Sequence, residues 1–182
     1  MNRDSLGELW ALPLKHKKTL AVASESIIER TYRMWLKPGD VAVDVGVNVG
    51  RHLFPLADCV GVGGRVFGFE PIPELAAQLQ VQIRDKDLVD RVLLQNIAIA
   101  DQAGIETFHH NLAAPAMSGL KVRAGLPENS QSRAIQVRVD ILDDVLSGHS
   151  PRFVKIDVEG AEFLVFRGAT RLMKDSRPLF AF

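Results

Sequence analysis

The sequence predicts a parallel, doubly wound α/β sheet, and three observations predict it. Short apolar runs bounded by turn residues alternate along the chain with segments of helical apolar spacing. The first such run, Val41 to Val45, leads into a glycine turn, GVNVG, that opens a helix. The second, RVFGFEP from Arg65 to Pro71, ends in a carboxylate, Glu70. A buried strand, a glycine turn and an acid at the tip of the next strand, roughly 20 residues on, form the pattern of a nucleotide-cofactor site.

The elements follow in order. Ser5 to Glu8 reads as a capping box opening a short helix that Pro13 ends. From about Thr19 to Leu36, Ile27, Ile28, Trp35 and their neighbours recur at helical spacing, before the turn Pro38-Gly39-Asp40. Residues 1–40 therefore read as a helical N-terminal preface that flanks the site, with the main domain at 41–182. After Gly50 a helix carries Leu53, Phe54, Ala57 and Val60 inward, and Pro55 is tolerated near its first turn. Pro73 to about Asp87 is a helix with Leu75, Leu79 and Ile83 on one face. A single third strand is expected over Arg91 to Ala100. From Asp101 to Arg133 a long loop is expected, interrupted by a strand at GIETFHH, and IQVRV (Ile135 to Val139) is a further strand before a short helical turn. FVKIDVEG forms the next buried strand and turn. A single helix, AEFLVFRGATRLMK, follows with Leu164, Val165, Ala169, Leu172 and Met173 facing in, and PLFAF begins a last strand.

Composition narrows the function classes. At 182 residues the chain fits one domain with a sizeable core. Its 47% apolar and 24% charged content is globular. Lys and Arg number 22, as do Asp and Glu, so no net positive field invites nucleic acid. The basic patch Lys15 to Lys18 reads as a solvated face. Cys59 is the one cysteine, which rules out a disulfide within the chain and reads as core packing. No apolar run approaches a membrane span and the N-terminus lacks a signal-peptide core, so a soluble, cytoplasmic protein is expected. No metal is expected, because His109 and His110 are adjacent on a strand and face opposite sides.

Charge points to the kind of cofactor. Asp44 precedes the first glycine of the turn, and Asn48 stands where a dinucleotide fingerprint has its second. A carboxylate there repels a pyrophosphate and attracts a sulfonium and an ammonium group. S-adenosylmethionine carries both, with a ribose for Glu70 and no phosphate.

Segment by segment, VDVGVNVG, GRVFGFEPIPE, NIAIAD, VRVDILDDVL and FVKIDVEGAEFLVFRGA resemble the FkbM-type methyltransferases from about Val41 to Phe182. The resemblance implies a Rossmann-like class I methyltransferase sheet using S-adenosylmethionine, and methylation of hydroxyls on sugars, polyketides and related small molecules. It implies that Asp44, Gly46, Asn48 and Gly50 shape the methionine and turn region, and that Glu70 holds the ribose. Asn96 to Ala98 would border the adenine, and Asp157 and Glu159 would sit beside the methyl group and the acceptor. The family fold continues beyond the strand beginning at Pro178, so the sheet is expected to be truncated after its fifth core strand. An open edge there suggests a homo-oligomer.

Three readings stay open. The first is an S-adenosylmethionine-dependent O-methyltransferase acting on a small-molecule or glycan acceptor, with Asp157 orienting the cofactor's ammonium and Glu159 contacting the acceptor. The second is a nicotinamide oxidoreductase, disfavoured by Asp44 and a missing third fingerprint glycine. The third is a non-catalytic cofactor-binding module. Glu162 reads as a helix N-terminal charge, Lys155 as a partner for one of the acids or a bystander, and His52 as packing or surface ahead of a contact to the acceptor.

Overall fold

The computed structural model describes residues 14–111, 118–120 and 132–182. The capping box at Ser5 to Glu8, the stop at Pro13, the side chains of the basic patch at 15–18, and residues 112–117 and 121–131 of the expected loop lie outside them. The chain runs α1 (Leu14–Trp35), β1 (Val41–Val45), α2 (Leu53–Val60), β2 (Arg65–Phe69), α3 (Pro73–Asp85), β3 (Val92–Gln95), β4 (Ala98–Ala100) and β5 (Gly104–Asn111). It continues with β6 (Ser132–Ile141), α4 (Leu142–Val145), β7 (Phe153–Ile156), α5 (Glu162–Arg167), α6 (Thr170–Asp175) and β8 (Leu179–Ala181).

Five strands form a parallel sheet in the order β3-β2-β1-β7-β8. Side chains alternate across it. Ala42, Val66, Val92 and Phe153 face a core built with Tyr32, Leu53, Leu56, Leu79 and Ile83, so α1, α2 and α3 cover that face. Val43, Val45, Phe67, Phe69, Val154 and Ile156 face the other core, closed by Leu142, Leu146, Val165 and Leu172 of α4, α5 and α6. Helices on both faces make the sheet doubly wound, a Rossmann-like class I fold. The preface helix docks through Ile28, Tyr32 and Leu36, whereas Ile27 stays in solvent. Tyr32 meets the Phe153 ring edge-on at 5.5 Å, and Trp35 Nε1 donates to the Arg152 carbonyl at 3.2 Å.

Two expectations change. Arg91 to Ala100 is two strands in two sheets: β3 ends the large sheet, and β4 joins β6 and β5 in a separate three-stranded sheet. The break falls at Asn96, whose side-chain amide donates to the carbonyls of Glu70 (2.8 Å) and Pro71 (3.0 Å). That grip holds the chain to the tip of β2 while Ile97 turns into the second core. The helix expected over 161–174 is also two. Asp143 accepts the backbone N–H groups of Arg171 and Leu172, both at 2.8 Å, and this cap starts α6 afresh after Gly168. Leu164 is half-buried and Met173 exposed, so Val165, Ala169 and Leu172 form the inward face.

The two sheets meet where α5 ends. A Cβ at Gly168 would lie 2.2 Å from the Ala100 carbonyl oxygen in β4, closer than packed atoms approach. Gly168→Ala should therefore cost about 1–3 kcal/mol by forcing α5 off β4. Urea unfolding is expected to show a lower midpoint with an unchanged slope. A wild-type midpoint would contradict this packing.

Candidate cofactor and active site

In open α/β sheets ligands gather at the carboxyl ends of strands, where the strand order reverses. Here that point lies between β1 and β7, since the chain runs outward through β2 and β3 and returns beside β1. Three left-handed residues shape the loop after β1: Gly46 (φ 83°), Asn48 (φ 53°) and Gly50 (φ 84°). Asn tolerates that conformation better than most side chains. The N–H groups of Gly46 and Val47 both donate to the Phe69 carbonyl at the tip of β2, at 3.0 and 3.2 Å. A Cβ on Gly46 would sit 2.0 Å from the Asp157 carbonyl oxygen, so glycine alone lets the loops after β1 and β7 touch.

Glu70 is buried at the centre of this framework. Its Oε2 accepts the Asn48 N–H at 2.7 Å and its Oε1 the Ile72 N–H at 2.9 Å, tying the glycine loop to the start of α3. Burial pushes the Glu70 carboxyl up to about 7; the two N–H groups oppose this and the Asp44 charge adds to it. A cleft opens beside it, bordered by Gly46, Asn48, Glu70, Ala98, Asp157 and Glu159 among the expected residues. Apolar walls come from Ile72, Leu75, Ile97 and Ile99. Three acids and no Lys, Arg or His line it among the described residues. Glu159 holds a left-handed backbone (φ 52°), an unfavourable conformation for a long side chain.

Three expected residues stand elsewhere. Asp44 lies one residue behind the strand tip, fully buried, with neither carboxylate oxygen hydrogen-bonded. Parallel register sets it beside Lys155, whose Nζ approaches at 3.6 Å and lies 3.3 Å from Asp157. Burial raises the Asp44 pKa against the opposing charge of Lys155. Burial also works against charge on Lys155, but Asp44 and Asp157 outweigh it and its pKa rises. Gly50 packs α2 against α3, because a Cβ there would meet Phe54 at 2.6 Å and Leu79 at 2.8 Å. Asn96 braces the turn after β2. The acids that face the cleft are thus Glu70, Asp157 and Glu159, and Asp44 is not among them.

Sequence reasoning missed one wall. Phe108 of β5, Ser118 and Leu120 border the cleft, and the Ser118 hydroxyl accepts the Asn111 N–H at 2.9 Å. Their signal was the strand at GIETFHH, whose Phe108 turns inward to Val137 and Val139. His52 is buried, with Nε2 2.5 Å from Glu25 and Nδ1 3.3 Å from the Tyr32 hydroxyl.

A family model described as Methyltransferase FkbM domain matches residues 44–182. The chain belongs to the FkbM methyltransferase family, whose cofactor is S-adenosylmethionine. The 31-O-demethyl-FK506 methyltransferase FkbM of Streptomyces tacrolimicus is 34% identical over 84 residues, 46% of this chain. That match spans 31% of the relative's length. Among solved structures, a putative rRNA-methylase from Clostridium thermocellum shares the fold at TM-score 0.50 and 19% identity, over 82% of this chain and 61% of its own. A SAM-dependent O-methyltransferase from Thermotoga maritima aligns over 40% of this chain and 26% of its own, at 30% identity and TM-score 0.36. No described helix is long and apolar enough to cross a membrane.

The state of Glu70 has a measurable signature. Its folded pKa of about 7 lies above the ordinary 4.5, so its contribution to stability is full below pH 4.5 and is lost as pH rises through 7. The loss is on the order of 3 kcal/mol. Chemical denaturation of the ligand-free protein from about pH 4.5 to pH 8 should show it, and Glu70→Gln should flatten that part of the profile. An unchanged profile would refute the burial-driven shift.

Proposed function

We propose that this domain transfers the methyl group of S-adenosylmethionine to a hydroxyl of a small molecule, a sugar or a polyketide-like metabolite. The observation that carries the reading is the lining of the cleft: three carboxylates and no cation among the described residues, around one buried acid at the tip of β2. This suits a ligand with a sulfonium, an ammonium and a ribose, and disfavours a pyrophosphate. When bound, S-adenosylmethionine supplies a methyl group open to in-line displacement by the acceptor oxygen. Glu70 accepts the ribose hydroxyls with the lone pairs its two backbone donors leave free. Ile72, Leu75, Ile97 and Ala98 enclose the adenine. Gly46 and Asn48 shape the floor under the methionine, and Asp157 takes the ammonium.

Glu159 contacts the acceptor where it reaches the methyl group. Alignment of the reacting atoms supplies several kcal/mol of the barrier. A carboxylate at the hydroxyl adds roughly 10²–10⁴-fold through proton transfer.

Each role has its own measurement. Charge-assisted hydrogen bonds contribute about 1.5–3 kcal/mol. Glu70→Ala should thus weaken S-adenosylhomocysteine by roughly tenfold to a hundredfold in calorimetric titration. An unchanged affinity in a folded variant would sink the ribose assignment. Asp157→Asn should also weaken the cofactor, whereas Glu159→Gln should keep its affinity and lose turnover. Wild-type turnover by Glu159→Gln would remove Glu159 from the chemistry.

A further inference from the structure

Parallel pairing sets Asp44 of β1 opposite Lys155 of β7, and Asp157 follows two residues on, towards the same face. The Lys155 ammonium is buried, 3.6 Å from Asp44 and 3.3 Å from Asp157. Asp44 does not line the cleft, and no group among the described residues donates a hydrogen bond to either of its oxygens. Its close partner is the lysine. We propose that Asp44 is a positioning residue acting through Lys155: it draws on the lysine's charge, so that Asp157 keeps a net negative charge for the ammonium of S-adenosylmethionine. The inference rests on the assignment of Asp157 to that ammonium above.

The balance of charge carries the argument. Two carboxylates and one lysine leave the row with one net negative charge, matched to the single ammonium that enters the cleft. Asp157 is the member able to meet it, because its side chain is half exposed and borders the cleft. Direct contact from Asp44 is blocked by its place, fully buried one residue behind the strand tip.

Without Asp44, Lys155 and Asp157 would close into a pair of zero net charge. The entering ammonium would then meet a lysine as fully as it met the carboxylate. Little water screens charges at such depth, so their pull on one another is strong at these distances. Glu25 also faces Lys155, but its Oε2 already takes Arg51 at 2.8 Å and His52 at 2.5 Å, so it does not replace Asp44.

The test is calorimetric titration of the whole chain with three adenosine thioethers. S-adenosylhomocysteine carries an ammonium and a carboxylate, S-adenosyl-3-thiopropylamine the ammonium alone, and 5′-methylthioadenosine neither. Asp44→Asn should weaken the first two about tenfold and leave the third unchanged, a split that damage to the fold would not give. The double variant Asp44→Asn with Lys155→Met again holds one net negative charge, on Asp157. It should bind all three ligands within about threefold of wild type. The inference is overturned by wild-type affinity for both ammonium ligands in Asp44→Asn, by an equal loss for 5′-methylthioadenosine, or by a double variant as weak as the single. Should Asp44→Asn not fold, the double variant decides: a loss of about tenfold confined to the ammonium ligands overturns the inference, and near wild-type affinity upholds it. Wild-type affinity in Asp157→Asn would instead strike the assignment of Asp157, and failure of wild type to bind S-adenosylhomocysteine would strike the reading of the cleft as a cofactor site.

Discussion

The site depends on one close approach: the backbone at Gly46 lies where any Cβ would strike the Asp157 carbonyl. Because the loops after β1 and β7 touch there, the Asp157 N–H reaches the Val45 carbonyl at 2.9 Å and the two strand tips end level. The N–H groups of Gly46 and Val47 then fall on the tip of β2, and Asn48 falls on Glu70. Three strand ends are thereby locked into one rim. A side chain at position 46 would separate them, and the cleft would lose its floor before any contact residue was altered.

Beneath that rim, Asp44, Lys155 and Asp157 form a row of charge, with Asp44 and Lys155 buried and the Asp157 side chain half exposed. Burying a paired charge adds little net stability, but removing one partner typically costs about 3–5 kcal/mol. The row therefore acts on geometry more than on stability. Parallel pairing admits Lys155 opposite Asp44, and a one-residue slip would move the lysine to the other, apolar face. Lys155 also holds the Asp157 side chain at the edge of the cleft.

Much of this was legible in the sequence because it is local. The glycine turn, the acid ending β2 and the alternation of strands and helices are patterns within a few residues of one another. Gly46, Asn48, Glu70, Ala98, Asp157 and Glu159 do gather at one cleft. What escaped depended on partners distant in the chain. Asp44 looked like a strand tip, and only the register with β7 reveals it as a buried partner of Lys155. Arg91 to Ala100 looked like one strand because its apolar run is unbroken; the grip of Asn96 on the β2 turn divides it. Asp143 likewise divides the late helix from 28 residues away. The contact between Glu25 and His52 required the preface helix to be docked before it was visible.

Glu70 also makes the site a proton exchanger. Near neutral pH the empty cleft holds this carboxyl as a mixture of acid and carboxylate. A ligand whose hydroxyls draw on the ionised form expels the proton as it enters. Affinity then falls as the solution becomes more acidic, and the heat of binding varies with the ionisation enthalpy of the buffer that collects the proton. The burial that prepares an acceptor for hydroxyl groups thus couples occupancy of the site to the acidity of its surroundings.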